Sequence, residues 1–294
     1  MKKKKLSAHN SRTGIVRFYD LSNPAVKGGM SVVYIICIGI TIVAMFPALW
    51  VFLASFKDIK EYMTEPTILP KSYDIDKFVY TWNQLKFGKY YVNSLISVAG
   101  SAVCAVIFNG LTAYSLSILK PKGYKVLRAM IMWSLLIPAT VGIVPLFLNI
   151  SNLGLQGSFL PIWLCMGANA FYVVLFKQFF DNFPISLIEA ARLDGCSNMQ
   201  IFFRIVLPLS KGIVAVIVIY AINAAWSDFL LPYLVLNQSG NETVMVRLFQ
   251  FRTSTQTDVD ILRAIALAII PPIILFLFCS RMVTKSVMEG GIKE

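Results

Sequence analysis

Long apolar stretches separated by short polar segments run the length of this 294-residue chain. An α-helix rises 1.5 Å per residue, so about 20 apolar residues cover a hydrocarbon core roughly 30 Å thick. Residues 28–56 and 90–119 each predict one such span. Between Arg128 and Lys177 lie 48 uncharged residues. As a single helix these would reach about 72 Å, so they must fold back. The turn-forming stretch Ser151–Ser158 predicts the reversal. Two further spans follow, 212–235 with Asp228 and Pro232 inside it and 264–283 with Pro271-Pro272 near its middle. The pattern predicts an all-α membrane protein with six transmembrane helices. Its organisation is an N-terminal tail (1–27), a six-span transmembrane domain (28–283, with a polar loop at 184–210) and a C-terminal tail (284–294).

Composition agrees. The chain is 57% hydrophobic and 14% charged, whereas soluble domains carry about 25% charged residues. Its net charge of +12 lies in segments that flank apolar runs, which is the layout of membrane orientation rather than of a solvated nucleic-acid face. Of the 27 Lys and Arg, 18 fall on one side of a six-span topology: the N-terminal tail, the loops around Lys120–Arg128 and Lys177–Lys211, and the C-terminal tail. The positive-inside rule therefore places both termini in the cytoplasm. The first apolar run is preceded by nearly thirty residues and has no clear small-x-small cleavage site, so it reads as retained. The five cysteines form no CxxC pair and the single histidine, His9, sits in the basic tail, which leaves no ligand set for a metal and no triad. No catalytic residue is expected.

On the external side lie a loop from Lys57 to Lys89, carrying Tyr73, Phe78, Tyr80 and Trp82, and another from about Leu236 to Arg263. These aromatics suit a membrane interface and a docked partner equally. On the cytoplasmic side, Pro184 can open a helix and Ser186 with Glu189 has capping-box spacing. Gly195 can end that helix in the left-handed conformation, and Ser197 can cap a second one whose apolar face is Ile201, Phe202 and Ile205. Pro208 is expected to stop it before the next span. The result is a compact helix-turn-helix at the cytoplasmic surface.

That segment carries a specific resemblance. Glu189-Ala190-Ala191, three residues, Gly195, nine residues, then Ile205-Val206-Leu207-Pro208 is similar to the EAA signature of bacterial ABC importer permeases. In that family the loop is the coupling helix that docks on an ATPase subunit. The resemblance implies that Glu189 meets basic groups of the ATPase, that Ala190 and Ala191 permit close packing, that Gly195 supplies the bend, and that Asp194 and Pro208 belong to the same coupling element. The whole chain resembles the maltose-type carbohydrate permeases, the shorter partner of a heterodimeric pair. Phe46-Pro47, Ser55-Phe56-Lys57, Asn93-Ser94-Leu95, Ala113-Tyr114-Ser115-Leu116, Asp194-Gly195 and Leu207-Pro208-Leu209-Ser210-Lys211 carry that likeness. It implies a C-terminal tail, Met288–Lys293, reaching between ATPases, with Glu289 and Glu294 departing from the usual small residues. It also implies that the 236–263 loop probes a docked binding protein, where Asn237, Gln238, Asn241 and Gln250 offer hydrogen bonds.

For the translocation path the candidates are Asn223, Trp226 and Asp228, since an ionisable group near a span usually faces a bundle interior or a watery cavity. The alternative is that Asp228 marks the external helix end and Trp226 an interface anchor. No GxxxxGK[ST] loop is present, so this chain binds no ATP itself and Mg-ATP is expected on partner subunits. The expected partners are a second permease, two ATPase subunits, an extracytoplasmic sugar-binding protein and the lipid of a bacterial inner membrane. Competing readings are an importer permease for a non-sugar solute, an ion-coupled secondary transporter and a membrane-embedded enzyme. The last two lack the mid-membrane ionisable clusters they need.

Overall fold

The computed structural model describes residues 24–290 apart from 66 and 255–256, with side chains described for 27–277. The N-terminal tail through residue 23 and the side chains of the tail Met288–Lys293 lie outside the described residues. All regular structure among the described residues is helical. The first helix, α1 (Pro24–Ala54), belongs to a unit of its own that ends at Leu53. It carries Pro47 inside it, and Thr41 donates to the Cys37 carbonyl at 2.8 Å.

The second unit, from Ala54, holds the rest. Two short helices, α2 (Ile59–Thr64) and α3 (Asp76–Leu85), precede the long α4 (Phe87–Tyr114), which ends in a π-turn at Ser115–Leu119. Then come α5 (Tyr124–Ser134), a 3₁₀ turn at Ala139–Gly142, α6 (Ile143–Asn152), α7 (Leu160–Gly167) and α8 (Ala170–Phe180). The 184–210 segment forms α9 (Ile185–Leu193) and α10 (Asn198–Ile201), with a π-turn at Phe202–Val206 leading into α11 (Leu207–Leu209). The chain closes with α12 (Lys211–Ser227), α13 (Leu230–Leu236), α14 (Val244–Arg252) and α15 (Asp258–Gly290).

Three described helical stretches are long and apolar enough to cross a bilayer: Lys27–Ala54, Phe87–Leu119 and Asp258–Leu277. Three more arise only if bent pairs count as one span each: Tyr124–Ser134 with Ala139–Asn152 (100°), Leu160–Gly167 with Ala170–Phe180 (42°), and Asn198–Leu209 with Lys211–Ser227 (85°). The expected reversal at Ser151–Ser158 is where α6 ends and α7 begins. The expected single span at 212–235 is instead broken. Asp228 adopts an extended ψ of 126° after Ser227 and its carboxylate accepts from the Leu230 amide at 3.1 Å, starting a new helix.

The span expected at 264–283 runs unbroken through Pro271-Pro272, within a helix that begins at Asp258. Two prolines remove the amides that would bond the carbonyls four residues earlier, those of Leu267 and Ala268. Both carbonyls find side-chain donors: the Tyr91 hydroxyl from α4 at 2.6 Å, and Trp226 Nε1 from α12 at 3.2 Å. Membrane helices tolerate proline where neighbours satisfy the freed groups in this way. The result knits α4, α12 and α15 around a cluster of Leu85, Phe87, Trp226, Val244 and Ala264.

The segment after α1 is pinned by Arg263 of α15, whose side chain is buried. Its Nε donates to the Ser55 carbonyl (3.0 Å), Nη2 to the Lys57 carbonyl (2.8 Å) and Nη1 to Asp260 (2.7 Å). Lys57, also buried, bonds Thr67, and the buried Glu61 accepts from the Lys71 amide at 3.0 Å. Tyr73 and Phe78 pack on Phe56 with centroids 5.3 and 4.7 Å apart, so this loop is folded rather than loose. Arg263→Met is expected to cost about 2–3 kcal/mol by orphaning these carbonyls. The check is a fall in the thermal midpoint in detergent, with cleavage sites appearing between residues 57 and 75.

Candidate functional site

The loop with the EAA-like spacing folds as a helix-turn-helix. Pro184 is the N-cap of α9, and no side chain caps it. The capping box expected from Ser186 and Glu189 does not form: α9 starts at Ile185, which puts Ser186 inside the first turn rather than ahead of it. Gly195 has φ +80°, the left-handed conformation that favours glycine at a helix terminus. The Cys196 amide bonds back to the Ala191 carbonyl at 3.0 Å, closing the turn. Ser197 then caps α10 in a capping box with Gln200, with bonds of 3.4 and 2.8 Å.

The second helix ends at Leu209, one residue past Pro208 and ahead of the next span. The chain turns at Ser210, whose hydroxyl donates to the Val206 carbonyl at 2.6 Å. Proline has no amide for the usual bond, and the π-turn immediately before it opens the helix where that bond is missing.

Burial divides the two faces of this module. Ile188, Ala191, Ile201, Phe202 and Val206 are buried in one cluster with Phe176 and Phe180 of α8 and with Ala113 and Tyr114 of α4. Ile205, expected on the apolar face, is half-buried at the edge of that cluster. On the other side Glu189, Ala190, Arg192, Asp194, Gly195 and Pro208 are exposed, and Leu193 is 89% exposed at the tip. Among the described residues no hydrogen bond or ion pair engages the Glu189 carboxylate. Of the predicted coupling residues, Ala191 alone faces inward. At the entry to the module Lys177 pairs with Asp181 at 2.6 Å. Partial burial alone would raise the Asp181 carboxyl, but the hydrogen bond and positive charge of Lys177 oppose it and the group is held below the ordinary carboxylate range.

Residues 106–288, which contain this module, match the family described as "Binding-protein-dependent transport system inner membrane component". The chain belongs to that family. Among other members, it is 31% identical to the probable ABC transporter permease protein YurM of Bacillus subtilis (strain 168), over 84% of this chain and 83% of that one. It is 27% identical to the diacetylchitobiose uptake system permease protein NgcG of Streptomyces coelicolor, over 86% and 85% of the two chains. Its fold matches a chain of a bacterial ABC transporter involved in the import of the acidic polysaccharide alginate, with TM-score 0.77, 23% identity, and 90% and 99% coverage. As a binding-protein-dependent transport component it is a membrane protein that serves solute transport, not an ion-coupled secondary carrier.

The other predicted residues of this transport component separate. Asn223 and Trp226 line one groove of about 380 Å³ between α12 and α15, with Tyr220, Pro272 and Phe276. Trp226 is nonetheless buried, edge-on to Tyr91 at 5.9 Å, and its nitrogen is committed to Ala268. Asp228 lies outside that lining, and its carboxylate accepts from the Leu230 amide at the start of α13. In the 236–263 loop, Asn241 donates to the Gly157 carbonyl at 2.7 Å and Gln250 donates to Asn237 at 2.9 Å, while Gln238 is exposed with φ +60°. Three of the four candidate groups are thus engaged within the fold. Asn93 and Ser94 at the start of α4 hold the same loop, through the Gly240 and Glu242 carbonyls and the Val244 amide.

No group of three or more metal-ligating side chains occurs among the described residues. Sequence reasoning missed Asn109 and Asn169, the polar residues that organise the break between α7 and α8. Their signal is an amide in an otherwise apolar run.

Proposed function

We propose that this chain is the permease subunit of an ATP-binding-cassette importer for a saccharide, and that it couples to its motor through Ile185–Leu209. The observation that carries the reading is the division of that module. One face is welded to the transmembrane helices through Phe176, Phe180 and Phe202, and the other presents an unpaired Glu189 beside Ala190 and a left-handed Gly195. A carboxylate on a small-residue surface suits an arginine-bearing cleft, where bidentate pairing is available. A push on the exposed face is passed to the helices because packed interiors transmit displacement rather than absorb it.

In this reading the chain forms half of the translocation path with a second permease, and two ATPase subunits supply Mg-ATP hydrolysis. An extracytoplasmic binding protein delivers the solute. Both termini are cytoplasmic, with the tails at 1–27 and 284–294 flanking the transmembrane domain. The saccharide is supported by relatives whose names specify diacetylchitobiose uptake and arabinooligosaccharide transport. The groove at Asn223 and the loop at Gln238 are the places where such a solute or its binding protein would be met.

The test is Glu189→Lys in the complete transporter. With membrane insertion unchanged, solute uptake and solute-stimulated ATP hydrolysis are expected to fall together by at least about tenfold, while ATP binding by the ATPase subunits persists. Uptake and stimulation at the level of the unmodified chain would refute the coupling assignment.

A further inference from the structure

Transmembrane helices can break only where the freed backbone groups are satisfied, and the break between α7 and α8 is satisfied from a distant helix. The Asn109 side chain of α4 is fully buried. Its Nδ2 donates to the Met166 carbonyl at 3.0 Å, in the last turn of α7, and to the carbonyl of Ala105 at 2.8 Å. Its Oδ1 accepts from the Asn169 amide at 2.9 Å, just ahead of α8. Asn169 in turn accepts from the Phe171 and Tyr172 amides at 3.0 and 3.2 Å, capping α8. Thus one amide bonds to both ends of the break, and a second amide starts the new helix. Packing adds to this. A Cβ at Gly167 would come within 2.8 Å of Phe108 Cδ2 and 3.3 Å of the Cys104 carbonyl, so α4 and the break lie backbone against backbone.

From these bonds we infer that Asn109 is a positioning residue. It fixes the 42° elbow between α7 and α8, so that α7, α8 and the Ile185–Leu209 module move as one rigid body. Downstream of the elbow, α8 contributes Tyr172, Val173, Phe176 and Phe180 to the same cluster that buries Ile188, Ala191 and Phe202. Motion imposed at the module therefore reaches the elbow through a packed body. At the elbow, hydrogen bonds rather than chain flexibility set the angle. A break that bent freely would dissipate the motion at Gly167–Asn169 before it reached α7. This inference rests on the coupling role proposed above, and its test separates the two.

Spin labels at cysteines replacing Leu164 on α7 and Gln178 on α8, in an otherwise cysteine-free chain, report the elbow. The assembled transporter is measured in proteoliposomes, nucleotide-free and trapped with Mg-ATP and vanadate. The unmodified elbow is expected to give one narrow distance distribution, the same in both states. Asn109→Leu keeps the branching of the side chain but removes every bond, and is expected to broaden the distribution. Gly167→Ala keeps Asn109 but wedges α4 from the break, and is expected to shift the mean distance. A distance that changes with nucleotide in the unmodified elbow, or an Asn109→Leu distribution identical to it, would overturn the inference. Should the leucine variant fail to insert, an unshifted Gly167→Ala distance overturns it alone. A separate label at Leu193 reports ATPase engagement. Silence there counts against the coupling role, while the nucleotide-free distributions still decide the elbow.

Discussion

Replacing Gly100 by valine is expected to bring the folded chain recovered from the membrane down to background. Gly100 lies on α4 opposite α7, and a Cβ built on it would fall inside the indole of Trp163. That indole cannot simply swing aside, because it stacks on Phe159 with centroids 6.1 Å apart and planes 14° from parallel. The helices themselves would have to separate. Overpacking of this kind costs about 1–3 kcal/mol where side chains can adjust, and more where backbones must move. It also bears on the contact that brings Met166 to Asn109, so the elbow would be lost with the packing. Gly88 in the same helix has nothing within 4 Å of its would-be Cβ. Gly88→Ala is therefore expected to leave recovery unchanged or slightly improved, since alanine favours helix over glycine by about 1 kcal/mol. Size-exclusion profiles of the solubilised fluorescent fusions check both variants. Recovery of Gly100→Val at the level of the unmodified chain would show that α4 and α7 do not pack as described.

The division between what could and could not be read from the sequence follows the range of the interactions. The reversal at Ser151–Ser158, the left-handed Gly195 and the cap at Ser197 were legible because each depends on residues within a few positions of itself. Where two local signals competed, the reading went astray. Pro184 and Ser186 both offer helix starts, and the proline, with its fixed φ, sets the boundary two residues earlier. The break at Asp228 was obscured because hydropathy rates apolar character and is blind to backbone direction. Asn109 was missed since its partners, Met166 and Asn169, are 57 and 60 residues away. The survival of α15 through Pro271-Pro272 was equally hidden. It depends on Tyr91, 176 residues from Leu267, and on Trp226, 42 residues from Ala268. Of the candidate site, the coupling module was therefore readable as a pattern, whereas the roles of Trp226 and Asn241 within the fold required the tertiary structure.

Trp226→Ala is expected to destabilise the chain by about 3–5 kcal/mol, the range for removing a large buried aromatic. Two losses combine. The cavity left beside Tyr91, Leu85 and Phe87 is one, and the orphaned Ala268 carbonyl at the Pro272 position is the other. Trp226→Phe shifts the balance between them, because it keeps a six-membered ring in the cluster but removes the Nε1 donor with the five-membered part of the indole. It should cost about 1–3 kcal/mol, the penalty of a buried acceptor left without a partner. Tyr91→Phe should behave alike at the Leu267 carbonyl, and the two bonds flank one proline pair, so the double variant is expected to lose more than the sum. With both donors gone, α15 has no compensation for Pro271-Pro272 and is expected to kink there. Cysteine accessibility at Leu275 and Phe276, which line the groove shared with Asn223, would rise. Solute uptake at a temperature where Trp226→Phe remains folded then checks the role of this ring. The half-saturating solute concentration is expected to stay that of the unmodified chain, because Trp226 is buried and its nitrogen is committed to Ala268.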